Sequence, residues 1–263
     1  MNRTRLLSVS AAIGLASLVL PRAASAQSSL ALDNDWRRRD RPARAERMMS
    51  PQSAAFEARF GPYSPQVDSE PGLKGKPYEQ VFGSGAQFYF GFEFDWQAVR
   101  IPWVGVLGPG FAWGYTHTSA TAKVTATGQD SGESTTITIY PMYVTAVLRA
   151  DDLMRRTGFP IVPYGKIGVG LAPWNTGTSV GSSEYAGVSG SGFSYGMQWA
   201  LGGMLCLNGL DPRAAASLDE TVGVNHVYIY GEWWRMALDG FGKDPPVMRV
   251  GTSTFTIGLA LDM

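Results

Sequence analysis

The sequence predicts an all-β fold: an eight-stranded antiparallel up-and-down transmembrane β-barrel, with a short periplasmic helix between its sixth and seventh strands. Three observations carry this expectation. The segment from Ala86 to Gln97, AQFYFGFEFDWQ, alternates with a period of two, with an apolar aromatic row on one face and carboxylates in mid-strand on the other. Similar alternation recurs in eight stretches, an even number that returns both chain ends to the same side. The N-terminus also reads as an export signal.

Arg3 and Arg5 precede an apolar run from Leu6 to Leu20, and Ala24-Ser25-Ala26 supplies a small-residue cleavage site before Gln27. Residues 1–26 are therefore expected to be a cleaved signal peptide. Residues 27–54 are Arg-rich and polar without strand alternation, and are expected to form a flexible periplasmic tether. Residues 55–263 are expected to form the barrel. The whole chain carries 22 basic and 22 acidic residues. Without Arg3, Arg5 and Arg22 it carries 19 against 22, a balance that argues against a nucleic-acid partner. The single cysteine, Cys206, has no internal partner for a disulfide and no metal-ligand spacing. Abundant glycine (32 residues), with 12% aromatic and only 17% charged residues, suits a tightly packed β wall with bulky outward side chains.

In the first strand Phe56, Ala58 and Phe60 face one way and Glu57, Arg59 and Gly61 the other, with an end expected at Gly61-Pro62. The second strand sets Phe88, Phe90, Phe92, Phe94 and Trp96 toward lipid and Tyr89, Glu93 and Asp95 inward. The third, about 102–117, is interrupted by Gly108-Pro109-Gly110, which reads as a bulge or kink because proline donates no ladder hydrogen bond. The fourth, about 134–149, directs Tyr140, Met142, Val144, Ala146 and Leu148 outward against Tyr143 and Thr145. The fifth, about 160–172, sets Ile161, Ile167, Val169 and Leu171 against Tyr164 and Lys166. The sixth, about 192–206, sets Phe193, Met197, Trp199 and Leu201 against Ser194 and Gln198. The seventh, about 225–236, sets Val227, Ile229 and Trp233 against Tyr228, Tyr230 and Glu232. The last alternates from Phe255 to Met263.

Connections at 62–85, 117–133, 173–191 and 238–249 are long and rich in Gly, Ser, Thr and Pro; those at 97–101 and 150–159 are short and charged. This alternation places the long set at the cell surface and the short set in the periplasm. The exception, 207–224, reads as a short helix with Asp211 as N-cap and Pro212 at the first position. Eight strands enclose a lumen about wide enough for side chains to fill. The expected interior polar cluster is Glu57, Arg59, Tyr89, Glu93, Asp95, Lys166, Gln198, Tyr228, Tyr230 and Glu232. Its acids outnumber Arg59 and Lys166, so incomplete charge pairing is expected. The expected lipid-facing set adds Trp113, Trp199 and Trp233 to the aromatic row of the second strand. With Trp103, Tyr115 and Tyr195, these tryptophans are candidates for interfacial girdles.

The segments FEARFGPYSPQVD (56–68), FYFGFEFDW (88–96) and LDPRAAASLDETVGVNHVYIYGEWW (210–234) resemble small outer-membrane β-barrel proteins of the myxobacterial type. The resemblance covers most of 55–263 and implies an eight-stranded outer-membrane barrel of unassigned function, without catalytic residues to transfer. The chain departs from the aromatic last residue general in such barrels, ending Leu261-Asp262-Met263.

Catalytic chemistry has few candidates. His117 lies near the outer end of the third strand beside Thr116, Thr118 and Ser119, whereas a nucleophile–base pair needs contact and a third orienting group. His226 is expected to anchor the periplasmic connection. Glu93 and Asp95 share a face about 6–7 Å apart by strand rise, and are expected to pair with Arg59 or Lys166 rather than to act on a substrate. No enzyme activity, cofactor or metal is expected. The expected function is structural or interactive at the outer membrane. Expected partners are membrane lipids, lipopolysaccharide and the barrel-assembly machinery. Alternatives are passage of a small hydrophobic molecule, a lipid-modifying enzyme, or a soluble lipocalin-like barrel with its apolar face inward.

Overall fold

A computed structural model of the chain describes residues 52–123, 130–178, 181–182, 184–185, 188–242 and 247–263. The expected signal peptide and nearly all of the tether lie outside the described residues. Eight staves form the wall: β1 (Ala54–Tyr63), β2 (Gln87–Trp96), β3 (Gly105–Lys123), β4 in two segments (Asp130–Ile139 and Met142–Arg149), β5 (Ile161–Thr178), β6 (Ser191–Cys206), β7 (His226–Ala237) and β8 (Ser253–Asp262). Each pairs antiparallel with its neighbours in sequence, and β8 pairs with β1 from Ala55↔Asp262 to Phe60↔Ile257. The result is a closed eight-stranded antiparallel barrel. Closure is completed at the seam by backbone hydrogen bonds from Ser53 and Ala54 N–H to the Met263 carbonyl and from Met263 N–H to the Ala54 carbonyl.

Several staves depart from their expected bounds. β1 continues through Gly61-Pro62 to Tyr63, because the ladder to β8 ends at Phe60 and Pro62 needs only its β2 neighbour, Phe88. β3 reaches Lys123 and β5 reaches Thr178, so much of the expected outer loops at 117–133 and 173–191 is paired strand. Those runs are polar but rich in threonine, whose branched side chain favours extended backbone. β4 is interrupted at Tyr140-Pro141, yet Gly114 N–H still donates to the Pro141 carbonyl and Tyr140 N–H to the Pro173 carbonyl. The wall stays continuous there.

The Gly108-Pro109-Gly110 irregularity falls on the neighbouring chain segment. Pairing of β3 with β4 is regular through all three residues. Toward β2, however, Trp96, Gln97 and Ala98 oppose only Gly108 and Pro109, between the pairs Asp95↔Gly110 and Val99↔Leu107. A Cβ on Gly108 would lie 1.7 Å from the Trp96 carbonyl oxygen. Glycine there lets the extra residue of the turn close on β3.

Among the described residues the connections hold three α-helices: α1 (Pro77–Phe82), α2 (Asp152–Thr157) and α3 (Pro212–Val222). The first two are not among the elements the sequence predicts. α3 begins as expected, with the Asp211 side chain accepting from Arg213 and Ala214 N–H at 3.1 Å, and stops at Gly223 in the left-handed region (φ 74°). Replacing Asp211 by Ala is expected to cost α3 about 1 kcal/mol. Amide exchange should speed up in 212–222 while the unfolding midpoint of the barrel stays where it is.

Candidate functional site

The wall sorts side chains by parity, so chemistry divides into what the lumen holds and what the outer face presents. Glu57, Arg59, Tyr89, Glu93, Asp95, Lys166, Gln198, Tyr228, Tyr230 and Glu232 are all buried inside the barrel. Two acids face each other directly across adjacent strands, Glu57↔Glu93, a like-charge pair that is unfavourable by itself. Lys166 resolves it from the opposite wall. Its Nζ reaches from β5 to Glu57 Oε2 at 2.6 Å on β1 and to Glu93 Oε2 at 2.8 Å on β2. Arg59 on β1 binds Glu93 Oε2 at 2.5 Å and, through Nε, Glu232 Oε1 at 2.7 Å on β7. The Tyr164 hydroxyl donates to Glu232 Oε2 at 2.8 Å.

A third cation, Arg149, enters the lumen together with a fifth carboxylate, Asp262, so the excess of two acids over cations that the sequence predicts persists. Arg149, at the end of β4, donates to Asp262 Oδ1 at 2.6 Å on β8, to Glu57 Oε1 at 2.7 Å and to Asp95 Oδ2 at 2.5 Å. Asp95 thus pairs with Arg149 rather than with Arg59 or Lys166. Asp262 also accepts from Gln52 at 2.6 Å and Gln97 at 3.1 Å, tying the β1 entry and the β2–β3 turn to the last strand. Among the described residues the lumen thus holds five carboxylates and three cations, and every carboxylate contacts a cation. Sequence reasoning missed Arg149 and Asp262, although both continue the inward parity of Tyr143–Thr145 and Gly258–Ala260. A charged residue at a strand end reads, by itself, as solvent-exposed.

Glycine makes the room for this network. A Cβ on Gly110 would lie 2.3 Å from Asp95 Oδ1, 2.8 Å from Thr145 Oγ1 and 3.1 Å from Glu93 Oε1. One on Gly114 would lie 2.4 Å from the Tyr89 hydroxyl. The tyrosine ring lies against the wall where glycine leaves it bare.

Toward the other end the lumen turns apolar. Tyr63, Tyr89, Tyr143, Ile137, Ile139, Met236, Leu238 and Trp234 form one buried cluster. The Trp234 ring lies 4.9 Å from that of Tyr89 and 5.6 Å from the Arg59 guanidinium, at the boundary with the charged layer. The cluster is closed over by Tyr78 and Phe82 of α1 and by Met248 and Val250. Tyr63 donates to the Val250 carbonyl at 2.5 Å, Gln66 N–H to the Gly251 carbonyl and Arg249 to the Ser69 carbonyl. In this cap the Tyr78 phenol is pushed up to about 12 by burial first and by Asp68 second, so it stays neutral at physiological pH. It accepts from the Gln87 amide. Tyr89 belongs to this apolar cluster while Tyr228 and Tyr230 belong to a separate one with Val162, Tyr164 and Met204. Both are filled by side chains, and no ligand chamber joins the three tyrosines among the described residues. A cleft between Arg149, Tyr228, Gln97 and Asp262 has room for about one water molecule.

The outer face is the converse. Phe88, Phe92, Phe94, Trp96 and Trp233 are exposed, Phe88 to 68%. Phe90, Trp113 and Trp199 are half-buried among their neighbours. The rings pave the wall: Phe56–Phe92 centroids lie 5.7 Å apart, Phe90–Tyr115 5.6 Å and Tyr115–Tyr140 5.6 Å. Trp113 lies opposite Phe92 at mid-strand, within the paved band rather than at its edge. Aliphatic residues continue the band on the far side, including Val144, Ile167, Val169, Leu201, Ile229, Ile257 and Leu259. The apolar face therefore points outward, opposite to the lipocalin-like alternative.

The two histidines lie on β3 and at the start of β7. His117 Nδ1 lies 2.9 Å from Thr138 Oγ1 across the β3–β4 ladder and its ring stacks on Tyr115. The ion pairs of the lumen are made by other residues. His226 does not anchor the β6–β7 connection as expected; Asn208 does, donating to the Asn225 carbonyl at 2.7 Å and accepting from Val227 N–H at 2.9 Å. His226 instead lies beside Tyr228, ring centroids 5.8 Å apart. No cluster of three metal-ligating side chains occurs among the described residues.

No family model and no curated protein matches the chain, so membership of the myxobacterial-type family is not shown. Similar solved structures include the outer membrane protein OprG from Pseudomonas aeruginosa, at 16% identity and TM-score 0.47, covering 81% of this chain and 97% of that one. The attachment invasion locus protein Ail of Yersinia pestis, in complex with sucrose octasulfate, matches at 12% identity and TM-score 0.41, covering 82% and 100%. A major outer membrane protein from Thermus thermophilus matches at 11% identity and TM-score 0.40, covering 81% and 100%.

Replacing Arg149 by Met would leave Asp95 and Asp262 without their cation and Glu57 with Lys166 alone, a loss of about 3–5 kcal/mol. Replacing Arg100, whose contact with Asp151 is half open to solvent, should cost no more than about 1 kcal/mol. Urea unfolding of the two variants side by side checks the contrast.

Proposed function

We propose that the chain is an integral outer-membrane β-barrel protein with a structural or interactive role. The observation that carries this reading is the inversion of the wall. Buried charge lies in the lumen and an aromatic-aliphatic band covers the outside of every stave. Ordinary soluble surfaces expose apolar patches of a few hundred Å² at most, not a band around the whole circumference. The ten residues of β2, at about 3.3 Å each and a tilt of ~40°, give a band about 25 Å tall, the height of the apolar belt of an outer-membrane barrel. Closure satisfies the backbone without water, as a bilayer requires.

In this reading residues 1–26 direct export and 27–54 tether the barrel in the periplasm. The start of β1 and the end of β8 face the periplasm, and α3 lies on that side. The capped end, with its Ser/Thr-rich hairpins, meets lipopolysaccharide and the environment. The lumen is filled, so neither conduction nor catalysis is assigned to it. Annular lipids and the barrel-assembly machinery are the partners the outer face requires.

Fractionation of expressing cells, followed by gel electrophoresis with and without boiling, tests the reading. A heat-dependent mobility shift in the outer-membrane fraction is expected. A soluble periplasmic protein without a shift would overturn it. Within the same assay, Phe92→Arg places a charge at mid-band and is expected to cost about 2–4 kcal/mol of refolding stability in lipid. In a soluble barrel an exposed arginine at that position would cost next to nothing.

A further inference from the structure

The turns at the end of the barrel where β1 begins and β8 ends are not the polar turns that water would select. Trp103, between β2 and β3, is 77% exposed and held at φ 70°. Leu153 and Phe159 occupy and flank α2 between β4 and β5, and both are about half exposed. Leu210, 84% exposed, leads into α3 between β6 and β7, where Leu218 and Val222 are also exposed. No residue of α3 is buried, although the helix is eleven residues long. Its half-buried positions are Ala215 and Asp219. Leu218 and Val222, one turn apart, occupy a flank about 160° away from Glu220 in the case of Leu218, at 100° per residue.

We propose that these three turns form an interfacial collar, seated in the headgroup region of the inner leaflet, with α3 lying in the plane of the interface. This inference rests on the membrane reading above. Two observations select lipid as the occupant rather than a protein. The apolar side chains come from the β2–β3, β4–β5 and β6–β7 connections, which are spaced around the circumference. A protein partner would cover one side, whereas lipid meets every side. The collar is also continuous with the band: Phe159 leads into exposed Ile161 at the start of β5, and exposed Leu205 on β6 precedes Leu210. Charge on this end is balanced rather than one-signed. Arg100 pairs with Asp151 and Arg156 with Asp152, while Arg156 also covers the Trp103 ring at 3.8 Å. The collar therefore holds by apolar insertion, with tryptophan and arginine at the depth where an amphipathic residue is favoured.

The test uses the full-length mature chain with Cys206→Ser, carrying single cysteines labelled with an environment-sensitive fluorophore, in vesicles of phosphatidylethanolamine and phosphatidylglycerol. Leu218→Cys reports the proposed inserted flank and Glu220→Cys the opposite one. Ile229→Cys on the band reports membrane insertion itself. Lipid bearing a spin label near the headgroup should quench the label at 218 several-fold more than at 220, and aqueous iodide the reverse. Equal iodide quenching at 218 and 220, with the label at 229 quenched by lipid, would overturn the collar and leave the membrane reading intact. A label at 218 shielded from iodide but untouched by the lipid quencher would also overturn it, in favour of a protein contact or a second copy. Absence of lipid quenching at 229 would instead overturn the membrane reading on which the collar rests.

Discussion

Three cations inside a ring of eight strands hold the rest of this molecule in place. Lys166 and Arg149 each reach from one wall to the wall facing it, β5 to β1 and β4 to β8. Removed from water, an isolated charge would cost several kcal/mol, and mutual attraction offsets that only where each charge has good partners. Each cation here meets at least two carboxylates. The network thus acts as a set of cross-braces: moving one wall breaks ion pairs on the opposite one. It also accounts for the bare places in the wall, since Gly110 is where the oxygens of Asp95, Glu93 and Thr145 converge.

The braces divide the lumen into two layers. At the seam end, charge lies beside the smaller cluster of Val162, Met204 and Tyr228, and Asp262 gathers Arg149, Gln52 and Gln97 at the closure of β1 on β8. Toward the other end, Trp234 and the tyrosines around it replace charge with apolar packing, which α1 and the segment before β8 close over. Among the described residues, side chains fill the lumen in both layers. The surfaces of the barrel are what remain to act: a paved outer band, a capped end with long hairpins, and an end whose turns carry exposed apolar side chains. The proposed role follows from that distribution, because each surface meets a different medium.

Much of this was legible in the sequence because a strand reports its two faces by parity. The row Phe88, Phe90, Phe92, Phe94, Trp96 and the interleaved Tyr89, Glu93, Asp95 identify both sides of β2 without reference to any other strand. The N-cap of α3 was legible for a similar reason, since Asp211-Pro212 acts on its own neighbours. Strand ends were less so. The threonine-rich continuations of β3 and β5 look like polar loop until a partner strand is present to pair with them. Arg149 and Asp262 stand at strand ends, where burial depends on what closes over them.

The alternation of side chains, the count of staves and the identity of most interior residues were thus determined by the sequence alone, because they rest on a local period of two. Which carboxylate meets which cation was decided only by the tertiary structure. Glu57 and Glu93 face one another from adjacent strands, but Lys166 reaches them from 73 positions along the chain from Glu93, and its choice depends on the register with which the barrel closes. Register is a property of the whole ring, and so are the pairings it sets.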